Sequence, residues 1–293
     1  MPFKYLDRGV RCQIVKTKGE SIVVREITLG QFIPGNSFIH KMDARSKIVL
    51  TIAYIIFIFL CKNFISLLIM SLFSILVILS TKISFMKYLK SLKAIMIIIL
   101  ITGIMNVFYG SGDIIWQWWI IKITYGGLIN AAFVIIRISM LMMISSVLTY
   151  TTSPTDLTDG LEQLMKPLTF FHIKVHDIAM MMTIALRFIP VLLVETDKIM
   201  NAQKSRGADM ESGSFINRIK SLIPVLIPLF VSSFRRANDL AMAMECRCYN
   251  GGNGRTRMKQ LHFGIIDLLG LIFSVVVFAG VVLCNIYFGA VVK

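Results

Sequence analysis

The stretch 175–252 decides the fold of this chain. It holds two long segments, 175–206 and 215–247, that begin almost wholly apolar and become polar toward their ends. Each is about 30 residues long, enough for a helix of roughly 45 Å. Each segment ends in an arginine between small residues: Ser205-Arg206-Gly207 in the first and Cys246-Arg247-Cys248 in the second. The pattern predicts two long helices with apolar beginnings and basic ends.

Apolar side chains also recur at helical spacing in the second segment. Phe230, Phe234, Ala237, Ala241 and Met244 follow one another at intervals of three and four residues, which predicts an apolar stripe along one face of a helix.

Prolines interrupt the apolar halves of both predicted helices, at Pro190, Pro224 and Pro228. A proline inside a helix lacks the backbone donor and collides with the preceding turn. We therefore expect each one to bend its helix, so that the apolar half lies at an angle to the polar arm.

The composition places the chain in a membrane. Hydrophobic residues make up 56% of the sequence, charged residues only 16%, and the mean hydropathy is +0.75. Of the 31 lysines and arginines, 27 lie on segments that we assign to the cytosolic side. This asymmetry is the positive-inside pattern, so the net charge of +15 indicates an anionic bilayer surface as partner and no nucleic acid.

The hydropathy pattern predicts an all-α integral membrane protein with about five transmembrane helices. Residues 1–26 form a basic N-terminal extension, and 27–150 a membrane domain with four spans at 48–60, 64–80, 94–109 and 126–150. Residues 81–93 read as a basic amphipathic stretch at the cytosolic surface. Residues 151–262 form a cytosolic coupling domain, with one short helix starting at Ser153-Pro154 and two long ones. Residues 263–293 form the last span, which places the C-terminus outside.

The sequence lacks the usual signatures of catalysis. It has no glycine-lysine phosphate loop, no His-Glu-x-x-His and no Gly-x-Ser-x-Gly, and no paired carboxylates lie inside a predicted span. Five scattered cysteines indicate no disulfide framework, and Cys246 and Cys248 lack the further ligands that a metal site needs. We therefore expect no catalytic residue, no metal site and no cofactor on this chain. A membrane-bound enzyme is the least supported function.

Arg137 lies near the middle of the fourth predicted span. An arginine there is a candidate for a transport function, and on this basis the chain would be a self-contained permease or channel using Arg137. Two structural interpretations compete with it: an ion pair within the helix bundle, or a tilted helix from which the side chain reaches the membrane surface.

The two arginine ends also allow two interpretations. A basic residue in the last turn followed by glycine is typical of an ordinary helix C-terminus. Two such ends with the same gradient behind them favour docking, because small flanking residues let a guanidinium enter a partner's groove and donate several hydrogen bonds there.

Several motifs resemble the transmembrane T component of energy-coupling factor transporters. They are Leu29-Gly30-Gln31-Phe32-Ile33-Pro34-Gly35, Arg187-Phe188-Ile189-Pro190, 202–208, 243–252 and Gly254-Arg255-Thr256-Arg257. The resemblance runs from about residue 27 to the C-terminus. Ser205 and Cys246 differ from the alanine usual in the family, and both are still small.

The resemblance implies a non-catalytic coupling subunit in the cell membrane of a prokaryote. It would join two ABC-type ATPase subunits to a separate substrate-binding membrane subunit for the uptake of vitamins or metal ions, and the self-contained permease or channel is the alternative. Arg206 and Arg247 would dock in the two ATPases, which would bind the ATP and Mg. The surface of the long helices would carry the substrate-binding subunit, one of several interchangeable ones. Flexible methionines suit such a surface, and with Phe234 we assign to it Met180, Met181, Met182, Met242 and Met244.

Overall fold

A computed structural model describes residues 31–109, 114–118, 121–172, 174–208, 215–251 and 262–287. The predicted N-terminal extension, the first residues of the motif at 29–35, the motif at 254–257 and the C-terminal Lys293 lie outside these ranges. So does most of the predicted link between the two long helices.

The described chain is almost entirely helical. Nine α-helices follow one another: α1 Phe38–Lys41, α2 Ala44–Leu60, α3 Phe64–Ser80, α4 Phe85–Tyr109, α5 Tyr125–Thr151, α6 Pro154–Leu164, α7 Val175–Ser205, α8 Phe215–Glu245 and α9 Ile265–Tyr287. A 3₁₀ turn at Lys166–Phe171 follows α6. Between α4 and α5 lies a short antiparallel hairpin of β1 Ile114–Trp118 and β2 Ile121–Thr124, which the sequence analysis did not predict. The fold class is all-α, as predicted.

Four of the described helices are long and apolar enough to cross a membrane: α4, α5, α7 and α9. Helix α3 is apolar but shorter, with 17 residues. The prediction differs in detail, because it counted α2 as a span and placed α7 in the coupling domain. Helix α2 has only 17 residues, fewer than any of the four candidate spans, whereas the first part of α7 is apolar and almost none of it is buried. The cytosolic position of α7 stays a prediction.

Helix α4 begins nine residues before the predicted third span at 94–109. The basic stretch from Phe85 onward is therefore not a separate surface segment but the first turns of the spanning helix. The predicted span began at 94 because the lysines before that residue interrupt the apolar sequence. Lysine is a good helix former, however, so the helix itself continues through them.

Contacts divide the chain into two compact units. Unit 1 comprises residues 1–160 and 261–293, and unit 2 comprises residues 161–260. The predicted boundary at 151 lies before α6, whereas the division passes through that helix. The start of α6 confirms the predicted cap: the Ser153 hydroxyl accepts a hydrogen bond from the Asp156 amide at 3.1 Å, and Pro154 is the first helical residue.

The core of unit 1 lies among α2, α3, α5 and α9. Fully buried side chains fill it, including Tyr54, Ile58, Met70, Phe133 and Val281. Phe57 of α2 stacks on Phe278 of α9 with ring centroids 4.4 Å apart. The spans therefore pack on one another through large apolar side chains, while most of their outward surface is exposed and apolar.

Candidate functional site

Helix α7 ends in a left-handed cap at Arg206. The amide of Gly207 donates to the Lys204 carbonyl at 3.0 Å, and the amide of Ala208 donates to the Gln203 carbonyl at 3.0 Å. Gly207 has a φ of 85°, in the left-handed region that glycine adopts without steric cost. This hydrogen-bond pair is the Schellman motif, and it places Arg206 at the cap position.

Helix α8 ends in the same motif. The amide of Cys248 donates to the Glu245 carbonyl at 2.8 Å, and the amide of Tyr249 donates to the Met244 carbonyl at 3.1 Å. Arg247 therefore occupies the same cap position as Arg206. Cys248 takes the left-handed place, with a φ of 54°. A side chain with a Cβ is strained there, so this helix end carries a steric cost that glycine would not.

The two arginines are thus presented in the same way. Ser205, Arg206 and Gly207 are all exposed, as are Cys246, Arg247 and Cys248. Each guanidinium projects from the negative end of a helix dipole, where a cation is stabilised. The ordinary-cap interpretation of the sequence is therefore correct for the backbone at both ends, and the side chains remain open to a partner.

An ion pair joins the two long helices within unit 2. The Nη2 atom of Arg236 on α8 donates to Oε2 of Glu195 on α7 at 3.0 Å. A second contact lies farther along, where the Tyr249 hydroxyl donates to the Met180 sulfur at 3.0 Å. Met180 lies early in α7 and before Glu195, whereas its partner Tyr249 follows the end of α8 and comes after Arg236. The two helices therefore run in opposite directions past each other.

This arrangement separates the two arginines. Arg206 follows Glu195 by eleven residues, and Arg247 follows Arg236 by eleven residues. At 1.5 Å per residue each arginine lies roughly 16 Å beyond the ion pair along its own helix. Because the two helices run in opposite directions, Arg206 and Arg247 lie at opposite ends of the pair of helices. Sequence analysis missed the ion pair, since the spacing of 41 residues between its members gives no sign that they meet.

Helix α8 carries a long exposed apolar stripe on the side that faces away from the ion pair. Phe230 is 65% exposed and Phe234 is 56% exposed, with ring centroids 4.6 Å apart. We define the α8 stripe by the exposed residues at intervals of three and four: Leu222, Ile223, Leu226, Ile227, Phe230, Val231, Phe234, Ala237 and Ala241. Val225, on the opposite side, is buried. The predicted stripe thus extends two turns further toward the start of α8, as the same spacing in 222–231 could have indicated.

The methionines assigned to the partner surface do not form one patch. Met181 and Met182 are exposed, at 61% and 43%, whereas Met180 contacts Tyr249. Consecutive helical residues point 100° apart, so these three cannot share one face. On α8, Met242 is 65% exposed and Met244 is half-buried. Their assignment to a partner surface stays a prediction.

The three prolines lie inside continuous helices. Pro190 is within α7, and Pro224 and Pro228 are within α8. Each removes one backbone donor and leaves a carbonyl one turn earlier without its helical partner. The bends expected at these positions stay predictions.

Arg137 is held by the helix bundle of unit 1. Its Nη2 donates to the carbonyl of Cys61, directly after α2, at 2.8 Å, and its guanidinium lies 4.8 Å from the Phe133 ring centroid and 5.8 Å from that of Phe59. The adjacent carbonyl of Leu60 accepts from Asn285 Nδ2 at 2.9 Å. Side chains from α5 and α9 therefore cap the end of α2. In the described part of the chain Arg137 has no carboxylate partner of the kind that the ion-pair interpretation requires, and its hydrogen bond goes to a backbone carbonyl.

Comparison with known proteins gives a consistent result. The sequence model of the CbiQ family, described as cobalt transport protein, matches residues 35–259. The energy-coupling factor transporter transmembrane protein EcfT of Ruminiclostridium cellulolyticum is 51% identical over 266 residues, covering 91% of this chain and 100% of the relative. EcfT of Clostridium kluyveri is 46% identical over 269 residues, covering 91% and 100%. EcfT of Listeria innocua is 41% identical over 259 residues, covering 88% and 97%.

The residues matched by the family model include both arginine-capped helices and every helix from α1 to α8. The family model covers most of the chain, and a relative that is 51% identical is matched over its full length. The chain therefore belongs to the family of transmembrane T components of energy-coupling factor transporters.

Proposed function

We propose that this chain is the coupling subunit of an ABC-type importer and docks two ATPase subunits through Arg206 and Arg247. The observation that carries the proposal is the equivalence of the two helix ends. Both arginines occupy the cap position of the same motif, both are exposed, and they lie at opposite ends of an antiparallel helix pair. One chain thus offers two like contacts far enough apart for two separate partners.

The chemistry of the caps suits docking. A guanidinium has five donors in a planar fork and stays charged, so it can satisfy carboxylates or helix-end carbonyls in a partner's groove. The small neighbours Ser205, Gly207, Cys246 and Cys248 do not obstruct such a groove. ATP and Mg would bind to the ATPases, and this chain would transmit their motion without catalysing a step itself.

The α8 stripe is the surface that we assign to the substrate-binding membrane subunit. A contiguous exposed apolar surface of this length is typical of contact with lipid or protein. A flat apolar stripe holds its occupant without directional hydrogen bonds, and this suits several interchangeable subunits that import vitamins or metal ions. In this arrangement the N-terminus and the coupling domain are cytosolic and the C-terminus is outside.

Co-purification tests the docking. The chain is expressed with the two ABC-type ATPases of the same organism and captured in detergent. We expect the wild type to retain both ATPases, Arg206→Ala and Arg247→Ala each to weaken the capture of one, and the double variant to lose both. Capture of both ATPases by the double variant at the wild-type level contradicts the proposal.

A matched control distinguishes docking from net charge. Lys198→Ala on α7 combined with Arg235→Ala on α8 removes two exposed positive charges from the same helices without touching either cap. This control variant should capture both ATPases like the wild type.

The contacts of Arg137 within the bundle give no support to the alternative of a self-contained permease.

A further inference from the structure

The first turns of α4 combine lysines with exposed apolar side chains. Met86 is 70% exposed, and Phe85 and Leu89 are also exposed, at 55% and 47%. Lys87, Lys90 and Lys93 of α4 are exposed as well, and so is Lys82, three residues before the helix begins. We call these residues together the lysine face: Lys82, Phe85, Met86, Lys87, Leu89, Lys90 and Lys93.

The opposite side of α4 fixes this orientation. Tyr88 is fully buried, with its hydroxyl 3.0 Å from Thr81 Oγ1. The Ser91 hydroxyl lies 2.5 Å from the hydroxyl of Tyr150 on α5, whose ring packs edge-on against Tyr88 with centroids 5.4 Å apart. Two buried tyrosines and their hydroxyl partners therefore hold the start of α4 in one rotation. The lysine face points outward as a consequence of this packing.

The positive charge of the lysine face is not balanced nearby in the sequence. No acidic residue occurs between Asp43 and Asp113. Among the ion pairs found within the described ranges, none involves Lys82, Lys87 or the two lysines that follow. Charge complementarity therefore favours an anionic partner outside this chain.

The position of the lysine face along α4 indicates which anion it meets. The helix continues without a break into the apolar residues 94–108, where Ile97 is 73% exposed, and this helix is one of the candidate spans. Lys90 lies only about 6 Å along the axis from Ala94. If α4 spans the membrane through these apolar residues, its ammonium groups come to the depth of phospholipid headgroups, and their aliphatic stems can follow the apolar surface.

We propose that the lysine face binds the phosphate groups of anionic phospholipids, with phosphatidylglycerol as the simplest example. Lys82, Lys87, Lys90 and Lys93 would contact the headgroups, while Phe85, Met86 and Leu89 enter the boundary of the acyl chains. None of these residues belongs to the arginine caps or to the α8 stripe, and the proposal does not depend on the function proposed above.

Lipid selectivity at the protein surface tests the proposal. The full-length chain is reconstituted in phosphatidylcholine vesicles that hold a trace of spin-labelled phosphatidylglycerol or phosphatidylcholine, and electron paramagnetic resonance measures the fraction of label immobilised by the protein. The wild type should prefer phosphatidylglycerol. Lys82→Gln, Lys87→Gln, Lys90→Gln and Lys93→Gln combined should lower this preference by at least about fivefold, the factor expected if even one lysine contribution is lost.

Two controls make the result specific. The corresponding fourfold lysine-to-arginine variant keeps the charge and should keep the preference. A variant with Lys166→Gln, Lys174→Gln, Lys198→Gln and Lys220→Gln removes four lysines elsewhere and should also keep it. An equal loss in this second control, or an unchanged preference in the first glutamine variant, overturns the proposal.

The wild type alone provides a further test should the glutamine variant fail to fold. Raising the ionic strength from about 0.1 M to about 1 M shortens the screening length from about 10 Å to about 3 Å, so the preference for phosphatidylglycerol should fall. A preference that does not respond to salt contradicts the proposal. Loss of ATPase capture by the glutamine variant with unchanged lipid selectivity would identify the lysine face as a protein-docking surface instead.

Discussion

Glu195 and Arg236 join α7 and α8 at a point eleven residues before each arginine cap, with Oε2 and Nη2 3.0 Å apart. The ion pair therefore divides the helix pair so that the two arms beyond it are equally long. If the chain is the coupling subunit that we propose, a displacement at one arginine would reach the other helix through this contact. Because both side chains of this ion pair are partly exposed, it contributes little to the overall stability of the chain. Its main effect is to fix the position of the two helices relative to each other.

A charge-swap experiment on this pair tests its positional role. Glu195→Arg or Arg236→Glu alone places like charges together, and each should lower the amount of substrate imported per ATP hydrolysed, while Glu195→Arg combined with Arg236→Glu should restore it. The ratio is measured with the complete complex in proteoliposomes. The single changes should cost only about 0.5–1 kcal/mol of stability, the value typical of a partly exposed pair.

The outcome of the swap separates two explanations. Loss of ATPase capture in the single variants would mean that the ion pair supports docking and not transmission. Unchanged import in both single variants would show that the pair has no part in coupling. Arg235→Glu, next to the pair on α8, supplies the control for a general effect of negative charge on this helix.

The α8 stripe should be required for the substrate-binding subunit but not for the ATPases. Leu226→Ser combined with Phe230→Ser removes two large exposed side chains from the middle of the stripe without opening a cavity. We expect the variant to retain both ATPases on co-purification and to lose the substrate-binding subunit. Asp239→Ser, on another side of α8, should retain all partners. Retention of the substrate-binding subunit by the stripe variant would contradict our assignment.

The two helix caps should respond in opposite ways to exchange of the left-handed residue. Gly207→Ala introduces a Cβ at a φ of 85° and should destabilise the end of α7 by about 1 kcal/mol, whereas Cys248→Gly removes the strain at a φ of 54° and should stabilise the end of α8 by a similar amount. Hydrogen exchange of the last helical turns measures both effects. Ser205→Ala and Cys246→Ala are controls at helical positions, and a less protected α8 end in Cys248→Gly would contradict the argument.

These features differ in how far the sequence predicts them. The cap at Arg206 follows from Gly207, because glycine strongly favours the left-handed position after a helix. The equal cap at Arg247 could not be predicted in this way, since Cys248 has no such preference and takes that conformation only because the hydrogen bonds of the motif outweigh its steric cost. The α8 stripe follows from spacing alone.

Contacts between distant segments are the part that the sequence does not reveal. The partner of Arg236 depends on how α7 and α8 cross. The partner of Arg137 is the backbone carbonyl of Cys61, and because every residue has such a carbonyl, the residue type at position 61 does not reveal the contact. The early start of α4 was missed for a different reason. Hydropathy marks where a helix becomes apolar, and Phe85 lies before that point within the same helix.

Arg137 should prove to be structural. Arg137→Gln removes the hydrogen bond to the Cys61 carbonyl and the contacts with two phenylalanine rings, and should lower the free energy of unfolding by about 1.5–3 kcal/mol. Arg137→Lys keeps the charge and should lose less. Thermal unfolding in detergent measures both. The folded variants should import substrate within the complex, and a variant of normal stability that no longer imports would instead support a transport function for this side chain.

Lys47 should make the stability of the chain depend on pH above neutrality. It lies before the apolar part of α2, is only 7% exposed, and donates through Nζ to the Thr151 carbonyl at 3.1 Å. Burial lowers the pKa of Lys47 to about 8, while Asp156, Asp267 and Asp43 act in the opposite direction. In the unfolded chain the pKa is that of an ordinary lysine, about 10.4.

Between these two values the unfolded chain binds more protons than the folded one, so stability should increase as the pH rises from about 8 to about 10.4. Below pH 8 the charged Lys47 costs up to roughly 3 kcal/mol relative to a lysine in water. Lys47→Met lacks the titrating group, so the difference in unfolding midpoint between the wild type and this variant should shift in favour of the wild type across that range. A difference that stays constant from pH 7 to pH 10 would mean that the three carboxylates fully offset the burial of the ammonium group.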